Sequence, residues 1–214
     1  EHTASPGRFE LSERIAEIAS TSNDGGDVLI FLPGVGEIQR TIDAIDRAIG
    51  RDALVLPLHG SLGAEAQFAA LRPANRRKIV VATNVAETSL TIEGVRTVID
   101  SGLARIAMYD PRRGMDRLEL KRISRASAAQ RAGRAGRTAP GRCIRLWSQI
   151  EDRSLEEFET PEIRRVDRTA TVLALREWGH LNPRTFGWFD APTEPAIESA
   201  ERLLELLGAV AGQR

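Results

Sequence analysis

Apolar and polar positions alternate in two rhythms along most of the chain. Leu11, Ile15 and Ile18 recur at helical spacing and predict a helix over residues 9–20. The turn Asn23-Asp24-Gly25-Gly26 separates it from Val28-Leu29-Ile30-Phe31-Leu32, an unbroken apolar run of the kind carried by a strand buried on both faces. Pro33-Gly34 breaks that run, and Val35, Ile38, Ile42, Ile45 and Ile49 predict a helix stopped by Gly50. A second strand follows at Leu54–Leu58, where Pro57 argues for a sheet edge or a strand end. His59-Gly60-Ser61-Leu62 reads as a loop, residues 64–71 as a helix, Lys78–Ala82 as a third strand and Val95–Ile99 as a fourth. Strands and helices alternating at these lengths predict a doubly wound α/β domain with a parallel sheet. Its ligands are expected beyond the carboxyl ends of the strands.

The rhythm changes at Leu103. Two extended runs flank Asp110-Pro111-Arg112-Arg113-Gly114, a turn by composition, so residues 103–123 read as an inserted β-hairpin. A last strand, Arg142–Trp147, follows Pro140-Gly141. The composition turns acidic over residues 151–160, and a domain boundary is expected there, giving an α/β domain over residues 1–152 and a second module over 153–214. In that module Thr160-Pro161 is expected to open a helix, with Thr160 as N-cap. Val172, Leu175 and Trp178 mark a helical stripe ended by Gly179. Ile197, Ala200, Leu204 and Leu207 mark another before Gly208. Nothing after Gly208 is long enough to complete the module.

Composition narrows the class. An apolar fraction of 42% with 28% charged residues describes a globular protein with an ample core. No apolar run is long enough to span a bilayer and no signal peptide opens the chain, so no membrane role is expected. The first residue is Glu1, and a processed product or an excised fragment is expected. The single cysteine, Cys143, sits in an alternating strand pattern and reads as neither disulfide partner nor metal ligand; a reducing, cytoplasmic compartment is expected. Basic and acidic residues balance at 30 each, so net charge decides nothing about partners, but their distribution does. From Arg112 to Arg145 the only acids are Asp116 and Glu119, a block favouring one local anion-binding surface.

Within that block lies Gln130-Arg131-Ala132-Gly133-Arg134-Ala135-Gly136-Arg137. On a helix Gln130, Arg134 and Arg137 fall at i, i+4 and i+7, one face of two guanidinium forks and an amide suited to phosphate oxygens. Gly133 and Gly136 each cost about 1 kcal/mol against alanine in a helix interior, which argues that another backbone or a ligand comes close. Ser127-x-x-Gln130 fits a capping box, a purely structural use of Gln130. Upstream, Asn84-x-x-Glu87 fits an N-cap with a reciprocal carboxylate, yet Thr83–Ile92 is richer in hydroxyls than a cap requires. Such a loop can hold a nucleic-acid backbone, a nucleotide, or both.

The pair Thr83–Ile92 and Gln130–Arg137, in this order on an α/β frame, resembles motifs V and VI of DEAH-box helicases of superfamily 2. Leu29–Gly34 looks like their motif IV, and His59-Gly60-Ser61-Leu62 like the adjoining motif. Pro161-Glu162-Ile163-Arg164 is similar to the start of their winged-helix domain. Within the family, the bacterial HrpA/HrpB group is the most similar.

The resemblance implies a second RecA-like domain followed by the start of a winged helix. It assigns Gln130, Arg134 and Arg137 to the phosphates of ATP or another NTP, Ser89 to the nucleotide-side water network and Glu93 to the ribose. Leu71 stands where many members stack an aromatic on the base, which implies weaker base stacking. Gly34, Ser61, Thr83 and Asn84 would meet the backbone of single-stranded RNA, and the hairpin would stand where the family places its strand-separating element. No G-x-x-x-x-G-K-[ST] occurs, since neither Lys78 nor Lys121 follows a glycine. The nucleotide and its Mg2+ are therefore expected mainly on a first RecA-like domain of the same polypeptide. Asp100, at the end of a strand that could pass for a Walker B, reads as structural. A non-catalytic clamp or scaffold derived from a helicase half is the competing reading. A Rossmann enzyme is disfavoured because no G-x-G-x-x-G follows a strand.

Overall fold

A computed structural model describes residues 1–3, 10–22, 25–88, 91–136 and 140–210. By packing, the chain divides into two units: Glu1–Arg105 with Leu120–Glu159, and Ile106–Glu119 with Thr160–Arg214.

The first unit is built on a parallel sheet of β1 (Asp27–Phe31), β2 (Leu54–Leu58), β3 (Lys78–Ala82), β4 (Val95–Asp100) and β7 (Arg142–Arg145), in the order β2-β3-β1-β4-β7. The apolar runs of the central strands divide by parity, as side chains alternate across a sheet. Val28, Ile30, Ile79, Val81 and Ile99 face the core shared with α1 (Leu11–Thr21) and α2 (Val35–Ile49) through Ile15, Ile38 and Ile45. Leu29, Phe31, Val80, Ala82 and Val98 enter a second core with Ala70 of α3 (Ala64–Leu71), Ala86 and Ala135. Pro57 lies on an edge strand, as its missing N–H requires. The fold class expected from the sequence is the one observed: a five-stranded parallel sheet, flanking helices and an antiparallel hairpin of β5 (Leu103–Asp110) and β6 (Met115–Arg122). The chain turns from β4 into β5 at Gly102, which adopts φ +70° against the fully buried Trp147, where a Cβ would stand 2.7 Å from the indole.

After α5 (Gln149–Arg153) of the first unit, the second unit holds α6 (Thr169–Glu177) and α7 (Glu194–Leu206), packed through Val172, Ala200 and Leu204. Thr160-Pro161 opens no α-helix, contrary to the sequence pattern; only a 3-10 turn, Glu162–Arg164, forms there. The guanidinium of Arg168 donates to the carbonyls of Glu162 and Ile163, and that of Arg165 to Thr160 and Ala107. Arginine side chains thus share carbonyls of this segment with the backbone, the Glu162 carbonyl also accepting from the N–H groups of Arg165 and Val166. The carboxylate of Asp167 accepts from the N–H and hydroxyl of Thr169 and starts α6 instead. Trp178 and Leu207 lie just past the two helices and are exposed, so neither completes the expected apolar stripe. Among the described residues no helix is long and apolar enough to cross a membrane.

Close backbone approach occurs at Gly141 and not at Gly133 or Gly136, where the sequence led it to be expected. A Cβ at Gly141 would meet the backbone oxygens of Ala135 at 1.9 Å and Arg96 at 2.6 Å, whereas a Cβ at Gly133 or Gly136 would meet no described atom within 4 Å. The segment around Ala135 is therefore pressed onto the start of β7. Gly141→Ala is expected to lower the unfolding free energy of the chain by about 3 kcal/mol in urea titration, as overpacking against fixed backbone does.

Candidate nucleotide site and strand-end surface

α4 (Arg125–Ala132) starts three residues before the capping box read from the sequence. Ser124, not Ser127, is its N-cap, accepting from the N–H of Ser127. The Ser127 hydroxyl is thereby free to donate to the carboxylate of Glu87 at 2.5 Å. Helical geometry stops at Ala132 and a 3-10 segment, Gly133–Gly136, carries the chain on. The single helical face expected to carry Gln130, Arg134 and Arg137 therefore does not extend past Ala132. Gly133, costly in an α-helix, is where the change occurs.

The loop after β3 also departs from expectation. Asn84–Ala86 form one 3-10 turn with Thr83 at its N-cap and no side-chain capping bond. Glu87 is not a reciprocal cap. Its Oε2 accepts from Arg131 Nε at 2.9 Å, and Arg131 Nη1 donates to Asp100 Oδ1 at 2.9 Å and to the Leu103 carbonyl at 3.3 Å. Arg131 is 1% exposed, with its guanidinium 4.9 Å from the centre of the Phe31 ring. Burial works against its charge, but the carboxylates of Asp100 and Glu87 outweigh it and hold the guanidinium protonated. Burial raises the carboxyl of Asp100 above the ordinary range, against the pull of Arg131 and of the Gly102 N–H.

Gln130 and Arg134 do come together. With Glu87, Thr88 and Gly133 they line an open pocket of about 350 Å³. Arg134 is 8% exposed, and its Nη2 donates to the carbonyls of Glu87 and, at 2.9 Å, Thr88. Arg137 and Ser89 lie outside the described residues. Gly34, Ser61, Thr83 and Asn84 follow the carboxyl ends of β1, β2 and β3, which are neighbours in the sheet, so the topology gathers all four along one sheet end. There the Ser61 hydroxyl sits 2.8 Å from His59 Nδ1, and the Thr83 N–H donates to Leu58. Arg105, at the base of the hairpin, forms a bidentate pair with Glu37 in the first turn of α2 and lies against Gly34.

Leu71 and Glu93 are placed elsewhere, around the buried Lys78 at the start of β3. Lys78 Nζ donates to the carbonyls of Ala70 and Arg72, on either side of Leu71, and the charge of Glu93 acts on it. Neither residue lines the pocket of Gln130 and Arg134. The basic block is also less available than its composition implied. Arg117 pairs with Glu119, Arg122 with Glu151 and Arg145 with Asp152, besides Arg131 in the interior. Among the described residues no group of three or more His, Cys, Asp or Glu is arranged to hold a metal ion.

A family model, helicase conserved C-terminal domain, matches residues 10–139. The chain belongs to that family. The helicase C-terminal domain here is 42% identical over 209 residues to the ATP-dependent RNA helicase HrpB of Escherichia coli (strain K12), covering 97% of this chain and 26% of that protein. To the ATP-dependent RNA helicase HrpA of the same organism it is 41% identical over 200 residues, covering 94% of this chain and 15% of the relative. The crystal structure of the Escherichia coli DEAH/RHA helicase HrpB superposes with a TM-score of 0.92 at 40% identity, over all of this chain and 28% of that one. The resemblance to DEAH-box helicases is borne out by these relatives, and the chain spans about a quarter of the length of HrpB.

Two measurements bear on this geometry. Arg131→Met, which leaves the buried carboxylate of Asp100 and the partly buried one of Glu87 without their cation, is expected to cost about 3–5 kcal/mol in equilibrium unfolding. The second concerns pH. The hydrogen bonds from Arg105 hold Glu37 below its ordinary value of 4.5, so the folded state is the weaker proton binder. The stabilisation is full above about pH 4.5 and is lost as pH falls through the depressed value. Arg105→Met should therefore lower stability by a constant amount above about pH 4.5 and move the acid-unfolding midpoint to higher pH, as followed by circular dichroism.

Proposed function

We propose that this chain is the second RecA-like half of an NTP-dependent RNA helicase, which completes a nucleotide site begun on a first RecA-like domain of the same polypeptide. The observation that carries the reading is the convergence of Gln130 and Arg134 on one open pocket. A guanidinium fork and an amide are donors matched to phosphate oxygens. With no P-loop in this sequence, they act on a phosphate held elsewhere, as arginine fingers do. Arg137 joins them. ATP, or another NTP, arrives with Mg2+ bound mainly by the first domain; Ser89 serves the nucleotide side, and Glu93 and Leu71, outside the pocket of Gln130 and Arg134, are assigned to the ribose and base and not to the phosphates.

Gly34, Ser61, Thr83 and Asn84, along the strand ends, form the track for a single-stranded RNA backbone. The hairpin parts strands, and residues 153–214 begin a winged helix. Closure of the two RecA-like halves on the nucleotide, and release after hydrolysis, moves the RNA.

In the intact protein Arg134→Ala is expected to lower ATP turnover by about 10³-fold or more. Arg134 is buried and bonds two carbonyls, so a fall of a few degrees in Tm should accompany the loss, and turnover is read well below the Tm of the variant. A folded Arg134→Ala enzyme with near wild-type turnover would remove the basis of the reading.

A further inference from the structure

Arg134 is held in the pocket wall through the main-chain carbonyls of Glu87 and Thr88. The local turn fixes those carbonyls only in part, through the Glu87 N–H donating to the Asn84 carbonyl at 2.9 Å and that of Ala86 to Thr83 at 3.3 Å. The preceding 3-10 turn is three residues long, has no side-chain cap, and Asn84 and Thr88 are exposed on either side. Ala86 is fully buried and Val85 packs against the same core, which sets the depth of the turn. The carboxylate of Glu87 adds a constraint from the core. One oxygen accepts from Ser127 and the other from Arg131, and Arg131 cannot yield because Asp100, the Leu103 carbonyl and the Phe31 ring hold it in the core. One residue thus joins the buried cation, by its side chain, to the arginine of the pocket, by its backbone.

We propose that Glu87 is the positioning residue for Arg134: its bidentate seat on Ser127 and Arg131 sets where the carbonyls of residues 87 and 88 stand, and so where the Arg134 guanidinium meets a phosphate. The inference rests on the reading of Arg134 as a phosphate-facing group. The competing role is that of a charge partner for Arg131 and nothing more. The two separate cleanly, because Arg131 keeps Asp100 when Glu87 is removed, so the fold retains a partner for the buried charge.

The test is steady-state, RNA-stimulated ATP hydrolysis by the intact protein, at a temperature well below the Tm of each variant. Glu87→Ala is expected to lower kcat by about 100-fold, the scale of a catalytic group displaced by an ångström, with KM for ATP and affinity for single-stranded RNA within about threefold of wild type. Glu87→Gln keeps the shape; its amide oxygen accepts from Arg131 while its NH2 donates to the Ser127 oxygen. It should restore kcat to within about tenfold of wild type. Ser127→Ala, which leaves the Glu87–Arg131 pair intact, should lower kcat by about fivefold with a fall of a few degrees in Tm, turnover being read well below it. That variant decides the matter if Glu87→Ala does not fold, and wild-type kcat in it would then overturn the proposal. A folded Glu87→Ala protein with wild-type kcat and reduced Tm would assign Glu87 to charge compensation alone. Arg134→Ala is run in parallel. If it hydrolyses ATP normally, the finger reading fails, whereas an inactive Arg134→Ala beside an active Glu87→Ala overturns only the positioning role.

Discussion

A protonated guanidinium in a protein core must be met on every side by something that repays its lost hydration, and the surroundings of Arg131 are arranged to do that. Glu87 comes from the loop after β3, Asp100 from the end of β4, the Leu103 carbonyl from the base of the hairpin and Phe31 from the end of β1. These segments are far apart in sequence, and removing any carboxylate leaves the cation less compensated. The requirement is sharper because α4 offers the core little else: its apolar residues are alanines, with Ala128 the buried one. The position of α4 over the sheet is set by an ionic network more than by apolar area. Arg134 inherits its place from that network through two carbonyls.

The strands were legible in the sequence because a strand buried on both faces needs an unbroken apolar run, and little else in a chain of this composition produces one. Helices were legible wherever an apolar stripe existed to be buried, as with Ile38 and Ile45. Legibility failed where side chains from distant segments took over backbone groups. Arg165 and Arg168 bond carbonyls of the segment after Thr160, where only a 3-10 turn forms, and Ser124 displaced Ser127 as the cap of α4. In the candidate site the residue types were right and their division of labour was only partly visible. Arg131 and Arg134 differ in sequence by a single turn, and no local signal states which is enclosed. The spacing did hold one: Ser127 and Arg131 are separated by i, i+4, as are Gln130 and Arg134. The first pair meets the carboxylate of Glu87 and the second lines the pocket. Reading Glu87 as a local cap hid the acid that the inward pair requires.

Arginine in this chain serves the backbone as often as it serves charge. Besides Arg134, Arg165 and Arg168, Arg77 donates to the carbonyl of Ala19 at the end of α1. A planar fork with five donors reaches a carbonyl and still has N–H groups for a second partner, which lysine cannot match in geometry. The near absence of lysine therefore has structural consequences whatever its origin, and net charge counted along the sequence overstates the cationic surface.

The parallel sheet is blunted at both of its sides. Leu54 donates to Arg77, so by alternation the nitrogen at position 57 points away from β3, and Pro57 has no N–H to offer there. On the opposite side Glu1 and Thr3 hydrogen-bond to Arg145 and cover β7. A neighbouring chain cannot readily add a strand to such a sheet, which guards a core rich in Val and Ile against lateral association. It also restricts recognition by strand addition. Whatever this domain grips, it must meet at the tips of its strands and not along their flanks.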